Sequence, residues 1–138
     1  MANLTVIPKP GDIVTGFFPE TKPKHNWQTN PRPLLVLRRY TATDGSISVL
    51  LSYGTGEISK VKQHALVIAN LSTLNSLNLA KPTAFILMPG RNLAILPWTD
   101  AHFAPWTGFK TPIIAHLPHP MKVYVHGILQ NVPDIPTP

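Results

Sequence analysis

The sequence contains no cysteine, so the chain forms no disulfide, offers no thiolate nucleophile and holds no zinc through sulfur. Acidic side chains are also scarce, because 6 Asp and Glu residues stand against 12 Lys and Arg residues. The acids are well separated along the chain, so a carboxylate cage for a metal ion or a paired-carboxylate glycosidase site is not expected. These absences exclude several common classes of enzyme.

Long apolar stretches are missing as well. No segment approaches the roughly 18 apolar residues that a membrane-spanning helix needs, and the first residues lack the basic and apolar regions of a signal peptide. We therefore expect a cytoplasmic protein with no membrane partner. The net charge of +6 and the isoelectric point of about 9.9 give a positive field that attracts phosphates or acidic protein segments.

The length of 138 residues and a hydrophobic content of 43% predict one domain over residues 1–138. The Pro-rich residues 130–138 are expected to fray. The 16 prolines are scattered, which breaks long helices and favours short strands joined by turns. Apolar, partly β-branched segments predict strands at 13–18, 34–40, 46–52, 65–68, 83–87 and 93–96. A mainly β fold, a small barrel with short helical segments, is the expected architecture.

Local sequence signals refine this prediction. Residues 43–46 (TDGS) and 88–91 (MPGR) are typical of turns and predict two hairpins. Asn70 or Ser72 is expected to cap a short helical turn. The apolar residues after Pro120 have helical spacing, although β-branched residues there keep a strand possible.

Other side chains are expected to be structural. His116, His119 and His126 are separated by helix-interrupting prolines at 118 and 120, so we expect neither a metal site nor a cofactor. A Pro-rich aromatic cluster follows the last predicted strand and is expected to cover one end of the core rather than to stack on bases. Its members are Trp98, Phe103 and Trp106.

Several short motifs occur in a distinctive order. They are PGDIV at residues 10–14, PRPLLVL at 31–37, YGTGE at 53–57, KPTAF at 81–85 and LPW at 96–98. In order and spacing they resemble the PemK/MazF family of toxins from bacterial toxin-antitoxin pairs. The resemblance covers roughly residues 10 to 106, most of the chain.

The resemblance implies an SH3-like barrel of the CcdB/PemK/MazF type, usually a homodimer. The resemblance also implies that the protein cuts single-stranded RNA without a metal, that its substrate in the cell is mRNA, and that this cleavage inhibits growth. An antitoxin is expected to silence it. Family members use an Arg of the Arg-Pro motif and a Ser or Thr of the Gly-Thr motif, which are Arg32 and Thr55 here. The chemistry agrees, because a guanidinium stabilises charge developing on phosphorus and a hydroxyl between two glycines can approach a phosphate closely.

Basic and aromatic residues outside these motifs indicate how RNA is held. The loop over residues 20–30 combines positive charge with an indole face, the combination that binds single strands. Further residues follow the Gly-Thr motif. The predicted RNA-binding set is Lys22, Lys24, His25, Trp27, Glu57, Lys60 and Lys62. An antitoxin is expected to compete for this surface with an acidic segment.

Alternatives stay open at the two catalytic candidates. Arg32 could form a structural ion pair with Asp12 or Glu57, and the Thr55 hydroxyl could cap a turn. Relatives commonly carry a small hydroxyl residue and then Gln after the Thr, whereas this chain has Gly56 and Glu57. The carboxylate would repel a phosphate unless Glu57 is the base or pairs with Arg32.

Two other functions are therefore compatible with the sequence. One is a non-catalytic SH3-like barrel that binds nucleic acid or a protein target such as a topoisomerase. The other is a domesticated relative of the toxins that acts without an antitoxin.

Overall fold

The computed structural model describes residues 4–18, 31–60, 64–89 and 92–138, without the side chain of Lys60. The strands of this part are β1 (Asp12–Gly16), β2 (Arg32–Thr41), β3 (Ile47–Thr55), β4 (Ala65–Ile68), β5 (Thr83–Ile86), β6 (Leu93–Pro97) and β7 (Ile113–His116). The helices are α1 (Leu71–Ser76) and α2 (His119–Gln130), with a 3-10 turn at Ile58–Lys60. The fold is mainly β, and a curled antiparallel half-barrel sheet carries two short helices. The prediction of a small β-barrel with short helical segments is confirmed.

Strand β3 organises the sheet. The strand order is β4-β5-β3-β2-β1-β7, and β6 also pairs with β3. Strand β2 occupies one edge of β3, with Leu34 opposite Tyr53, while β5 and β6 share the other edge. The end of β3 that carries the YGTGE motif therefore lies between the start of β2 and strand β5.

The first predicted hairpin is confirmed. Strands β2 and β3 pair antiparallel around residues 43–46, and Gly45 adopts a φ of 88°, which a residue with a Cβ rarely does. Within the turn Asp44 Oδ1 accepts hydrogen bonds from the backbone N–H (2.9 Å) and the hydroxyl (2.7 Å) of Ser46. These hydrogen bonds hold the pKa of Asp44 below its ordinary value, because they favour the charged carboxylate.

The second predicted hairpin, at residues 88–91, is wrong. Strand β5 pairs with the end of β3 and β6 pairs with its earlier part, both antiparallel. The two strands therefore run in the same direction along one edge of β3 and do not pair with each other as a hairpin. Residues 90 and 91 lie outside the described ranges.

The apolar residues after Pro120, for which the sequence allowed a helix or a strand, form a helix, and a strand precedes it. Strand β7 pairs antiparallel with β1 and was not predicted. Helix α2 follows, with Pro120 in its first turn and Val125 and Leu129 buried one turn apart, as the helical spacing predicts. Helix α1 begins after Asn70, whose side chain accepts a hydrogen bond from Thr73 N–H.

The core has two parts because successive residues of a strand face opposite sides of the sheet. Leu35 and Leu37 of β2 belong to the cluster that includes residues of α1 and α2, whereas Leu34 and Val36 pack in the cluster that contains Trp98 and Phe103. The rings of Trp98 and Phe103 lie 4.5 Å apart and are almost fully buried, as predicted for a hydrophobic cover.

The end of the chain also contributes to this packing. Val132 is buried, and Ile135 packs against the cluster that includes residues of the helices. None of the helices in the described ranges is long and apolar enough to cross a membrane.

Candidate functional site

Arg32 is the first residue of β2 and lies opposite Gly16 of β1. Its side chain is exposed, and its Nη1 donates a hydrogen bond of 2.9 Å to the hydroxyl of Tyr53. The guanidinium carbon also lies 5.9 Å from the centre of the Tyr53 ring. This distance is at the limit of about 6 Å for cation–π attraction, so that attraction is weak here. The hydrogen bond is therefore the contact that positions the guanidinium. That bond uses one of the five N–H donors that an arginine carries.

Tyr53 is itself held in place from three directions. Its ring contacts the nearly buried ring of Phe18 at a centroid distance of 5.3 Å, and its backbone N–H donates to the carbonyl of Asn92 at 3.0 Å. Across the sheet it pairs with Leu34. Tyr53 belongs to the YGTGE motif but had no predicted role. The partner of its hydroxyl depends on the strand register, which the sequence does not show.

Thr55 ends β3 and pairs with Ala84 of β5. The pairing of β2 with β3 ends at Leu34 and Tyr53, and the same register continued by two residues would put Arg32 opposite Thr55. The alternation of side chains along β3 places Thr55 on the same face of the sheet as Tyr53. The two residues predicted as a catalytic pair are therefore neighbours on one face, at the ends of adjacent strands.

The Thr55 hydroxyl also shapes the turn that follows it. Its Oγ1 accepts a hydrogen bond of 3.1 Å from the backbone N–H of Glu57. A hydroxyl that accepts one bond keeps its own O–H for donation. The turn-capping interpretation of Thr55 is thus confirmed, and it leaves the hydroxyl able to donate to a phosphate.

Lys81 opens the KPTAF motif, which gave it no predicted role at the site. An ideal Cβ built on Gly56 would lie 3.0 Å from Cε and 3.1 Å from Nζ of Lys81, so the ammonium group lies beside the turn after Thr55. The carbonyl of Lys81 accepts a hydrogen bond of 2.9 Å from the hydroxyl of Thr83, at the start of β5. Only the pairing of β5 with β3 brings Lys81 here, and that pairing is not visible in the local sequence.

Not every predicted residue can be placed at this site. Glu57 is exposed in the turn after Thr55. The backbone of Lys60 lies in the 3-10 turn, and its side chain is not described. The other predicted RNA-binding residues fall outside the described ranges; they are Lys22, Lys24, His25, Trp27 and Lys62.

The ion pair suggested between Arg32 and Asp12 is not formed. Asp12 begins β1, whereas Arg32 lies opposite Gly16 at the other end of that strand. The carboxylate of Asp12 instead contacts the Nδ1 atom of His116. The guanidinium therefore interacts with a phenol rather than with this carboxylate.

Trp106 fixes the backbone immediately before Arg32. Its indole N–H donates a hydrogen bond of 2.7 Å to the carbonyl of Pro31. We expect Trp106→Phe, which keeps an aromatic ring but removes the donor, to lower the free energy of unfolding by about 1 kcal/mol. The side-chain Nε–H resonance of Arg32 should shift as well, since its strand loses an anchor. Urea denaturation and NMR check both effects, and an unmoved Arg32 resonance would show that Trp106 does not position it.

A separate cavity of about 200 Å³ lies between α2 and β2. Its lining is mostly apolar, with Lys122 and His126 as the basic members. The lining residues are Pro10, Gly11, Val36, Leu37, Leu117, Lys122, Val125, His126 and Leu129. Arg32, Tyr53 and Thr55 do not contribute to it, so the candidate site is an open surface at the strand ends and not this cavity.

Comparisons with known proteins assign no family to the chain. No family model matches it, and no match is found among curated protein sequences. The function of the protein is therefore inferred from the sequence motifs and from the arrangement of the side chains.

Proposed function

We propose that this protein is a metal-independent endoribonuclease of the PemK/MazF type that cleaves single-stranded RNA as the toxin of a toxin-antitoxin pair. One observation carries the proposal: the exposed guanidinium of Arg32 is fixed on the Tyr53 hydroxyl, on the sheet face that also bears Thr55. Lys81 adds a second cation beside Gly56, the residue that follows Thr55. Two cations and a hydroxyl at one surface suit a phosphodiester substrate.

Cleavage without a metal uses the 2′-hydroxyl of the RNA as the nucleophile. Its oxygen attacks the adjacent phosphorus, the bond from phosphorus to the 5′ oxygen breaks, and the leaving oxygen takes a proton from solvent water. The products are a 2′,3′-cyclic phosphate and a 5′-hydroxyl. Arg32 and Lys81 would stabilise the charge that grows on the phosphorane oxygens, and the Thr55 hydroxyl would donate to one of them. Glu57, in the same turn, would accept the proton of the 2′-hydroxyl.

The proposed partners follow from charge. Single-stranded RNA would also be bound by the basic and aromatic residues predicted from the sequence, which are Lys22, Lys24, His25, Trp27, Lys60 and Lys62. An antitoxin would silence the toxin by placing an acidic segment over the same cations. A homodimer would present two such surfaces.

Incubation of the purified protein with a long single-stranded RNA in EDTA tests the activity. We expect discrete fragments that end in a cyclic phosphate, and no cleavage of a fully 2′-O-methylated RNA of the same sequence, because its nucleophile is blocked. Unmethylated RNA that is retarded in a gel but never cut would reject the nuclease. Cleavage of the methylated RNA would reject the mechanism.

A second function is favoured by one feature of the site. Glu57 places a carboxylate in the turn after Thr55, where like-charge repulsion would oppose a phosphate. In this alternative the barrel binds nucleic acid or a protein without cutting. Glu57→Gln distinguishes the two functions, because it should slow cleavage if Glu57 is the base and should strengthen RNA binding if the carboxylate only repels the phosphate.

We expect Lys81→Ala to slow RNA cleavage about 10-fold and to reduce the salt dependence of RNA binding by roughly one released counterion. Lys81→Arg should retain most of the rate, because it keeps the positive charge beside the turn. Rates measured at several salt concentrations check this. Lys110→Ala, which removes an exposed lysine from another loop, is the matched control; equal losses in both variants would mean that Lys81 contributes only general charge.

A further inference from the structure

A second pair of polar side chains lies at the opposite end of β1 from Arg32. Asp12 begins β1 and pairs in register with His116 of β7. The side chain of Asp12 is 3% exposed, whereas that of His116 is 69% exposed. Asp12 Oδ1 contacts His116 Nδ1, and Asp12 Oδ2 accepts a hydrogen bond of 2.9 Å from the backbone N–H of Lys9. A buried carboxylate therefore holds an exposed imidazole.

This contact fixes which ring nitrogen exchanges protons with a ligand. A carboxylate accepts hydrogen bonds, so it keeps a proton on Nδ1 of the imidazole that it contacts. The other nitrogen, Nε2, then gains or loses a proton on the exposed side of the ring. The same division of roles lets a buried aspartate orient a catalytic histidine in hydrolases.

The surroundings of the pair favour an anionic ligand. The aliphatic part of Lys122 lies across Gly11, the residue before Asp12, since an ideal Cβ on Gly11 would be 2.5 Å from Cδ of Lys122. The backbone N–H of Leu117 donates to the Gly11 carbonyl at 2.9 Å, which ties the residue after His116 to the same place. Apart from Asp12 itself, residues 4–18 and 113–130 contain no Asp or Glu, so no other carboxylate from these segments repels an anion.

We propose that Asp12 and His116 form a second site, which hydrolyses cyclic phosphodiesters. The substrate would be the 2′,3′-cyclic phosphate end that RNA cleavage produces, so its place in the cell depends on the proposed nuclease function. Nε2 of His116 takes a proton from water as the water oxygen bonds to phosphorus. The bond from phosphorus to the 2′ oxygen breaks, that oxygen takes a proton from solvent water, and His116 later returns its proton to solvent, which leaves a 3′-phosphate and a 2′-hydroxyl. Lys122 neutralises the phosphate charge, and Asp12 is the positioning residue.

This site is distinct from the one at Arg32. The partners of His116 and Arg32 on β1, Asp12 and Gly16, are four residues apart. At about 3.3 Å per strand residue, the positions of His116 and Arg32 are therefore separated by about 13 Å along β1. Ring opening is therefore expected to proceed without Arg32.

The test supplies 2′,3′-cyclic CMP directly, in EDTA, and measures formation of the 3′-phosphate. We expect the unmodified protein to hydrolyse it and His116→Ala to lose at least about 100-fold in rate. His119→Ala, which removes an exposed histidine three residues away, should keep the rate. His116 belongs to neither hydrophobic cluster, so His116→Ala removes no core side chain, and Lys9 N–H still donates to Asp12.

Asp12→Asn provides a readout that a structural role alone would not change. An amide in place of the carboxylate donates to Nδ1 and shifts the proton to Nε2. We expect the ¹⁵N resonances of His116 to report this exchange of tautomers and the hydrolysis rate to fall. An unchanged tautomer would overturn the positioning role.

The remaining outcomes separate the two sites. No hydrolysis by the unmodified protein, or equal rates with His116→Ala, would overturn the second site and leave RNA cleavage unaffected. Loss of ring opening in Arg32→Ala, with normal rates in His116→Ala, would assign that step to the Arg32 site. Ring opening without any RNA cleavage would retain this inference and reject the nuclease.

Discussion

Replacement of Arg32 by Ala should lower the rate of RNA cleavage by about 100- to 1000-fold, because it removes a fixed donor from the charge that develops on the phosphorane. The guanidinium is exposed and its one described hydrogen bond is to the Tyr53 hydroxyl, so the variant should fold normally. Arg32→Lys should recover part of the rate, since an ammonium keeps the charge but not the planar fork. Single-turnover cleavage of a short labelled RNA measures these differences.

The matched control is another exposed arginine of the same strand. Arg39 lies toward the other end of β2 and donates a hydrogen bond to the carbonyl of Pro8. Arg39→Ala removes the same charge from the protein, but should change the cleavage rate less than about threefold, the change expected of general charge alone. Similar rates in the Arg32 and Arg39 variants would contradict a catalytic role for Arg32.

Gly54→Ala should destabilise the protein by about 1–3 kcal/mol, because the added methyl group has no room. An ideal Cβ at this position would lie 2.9 Å from a ring carbon of Phe85 and 3.0 Å from the carbonyl oxygen of Pro33. Phe85 is fully buried, and Pro33 directly follows Arg32, so neither moves without disturbing the core or the site. Thermal unfolding should show a melting temperature several degrees lower, since about 1 kcal/mol shifts it by roughly 2–8 °C in domains near this size.

Gly127 is a glycine at which substitution by alanine should have the opposite effect on stability. It lies within α2, and an ideal Cβ there meets no atom within 4 Å. Gly127→Ala should therefore stabilise the protein by about 0.5–1 kcal/mol, because alanine loses less backbone freedom in a helix. Equal melting temperatures for the two variants would mean that strands β2, β3 and β5 do not approach as closely as described.

Local patterns predicted much of the fold. The apolar segments identified six of the seven described strands, and the Asp-Gly turn located the β2–β3 hairpin. These features depend on neighbouring residues, which the sequence displays directly. Strand β7 was missed because its four residues, Ile113–His116, are flanked by prolines and show no alternation.

The site was predicted only in part, for a related reason. All four residues lie in the motifs, but only Arg32 and Thr55 were given a role, whereas the contributions of Tyr53 and Lys81 depend on which strands pair. Strands β5 and β6 both border β3, and the turn-like sequence between them indicated a hairpin instead. Pairing between distant segments is decided by packing of the whole sheet, which a local pattern does not contain.

NMR titration with an uncleavable RNA tests whether RNA binds at the strand ends that carry Arg32, Tyr53 and Thr55. A fully 2′-O-methylated RNA of mixed sequence would be added to ¹⁵N-labelled protein at physiological salt. We expect the largest shifts at the Arg32 side chain and at the backbone amides of Thr55, Gly56 and Lys81. Shifts confined to α2 and its neighbouring cavity, with an unmoved Arg32 resonance, would show that RNA does not bind at the Arg32 site.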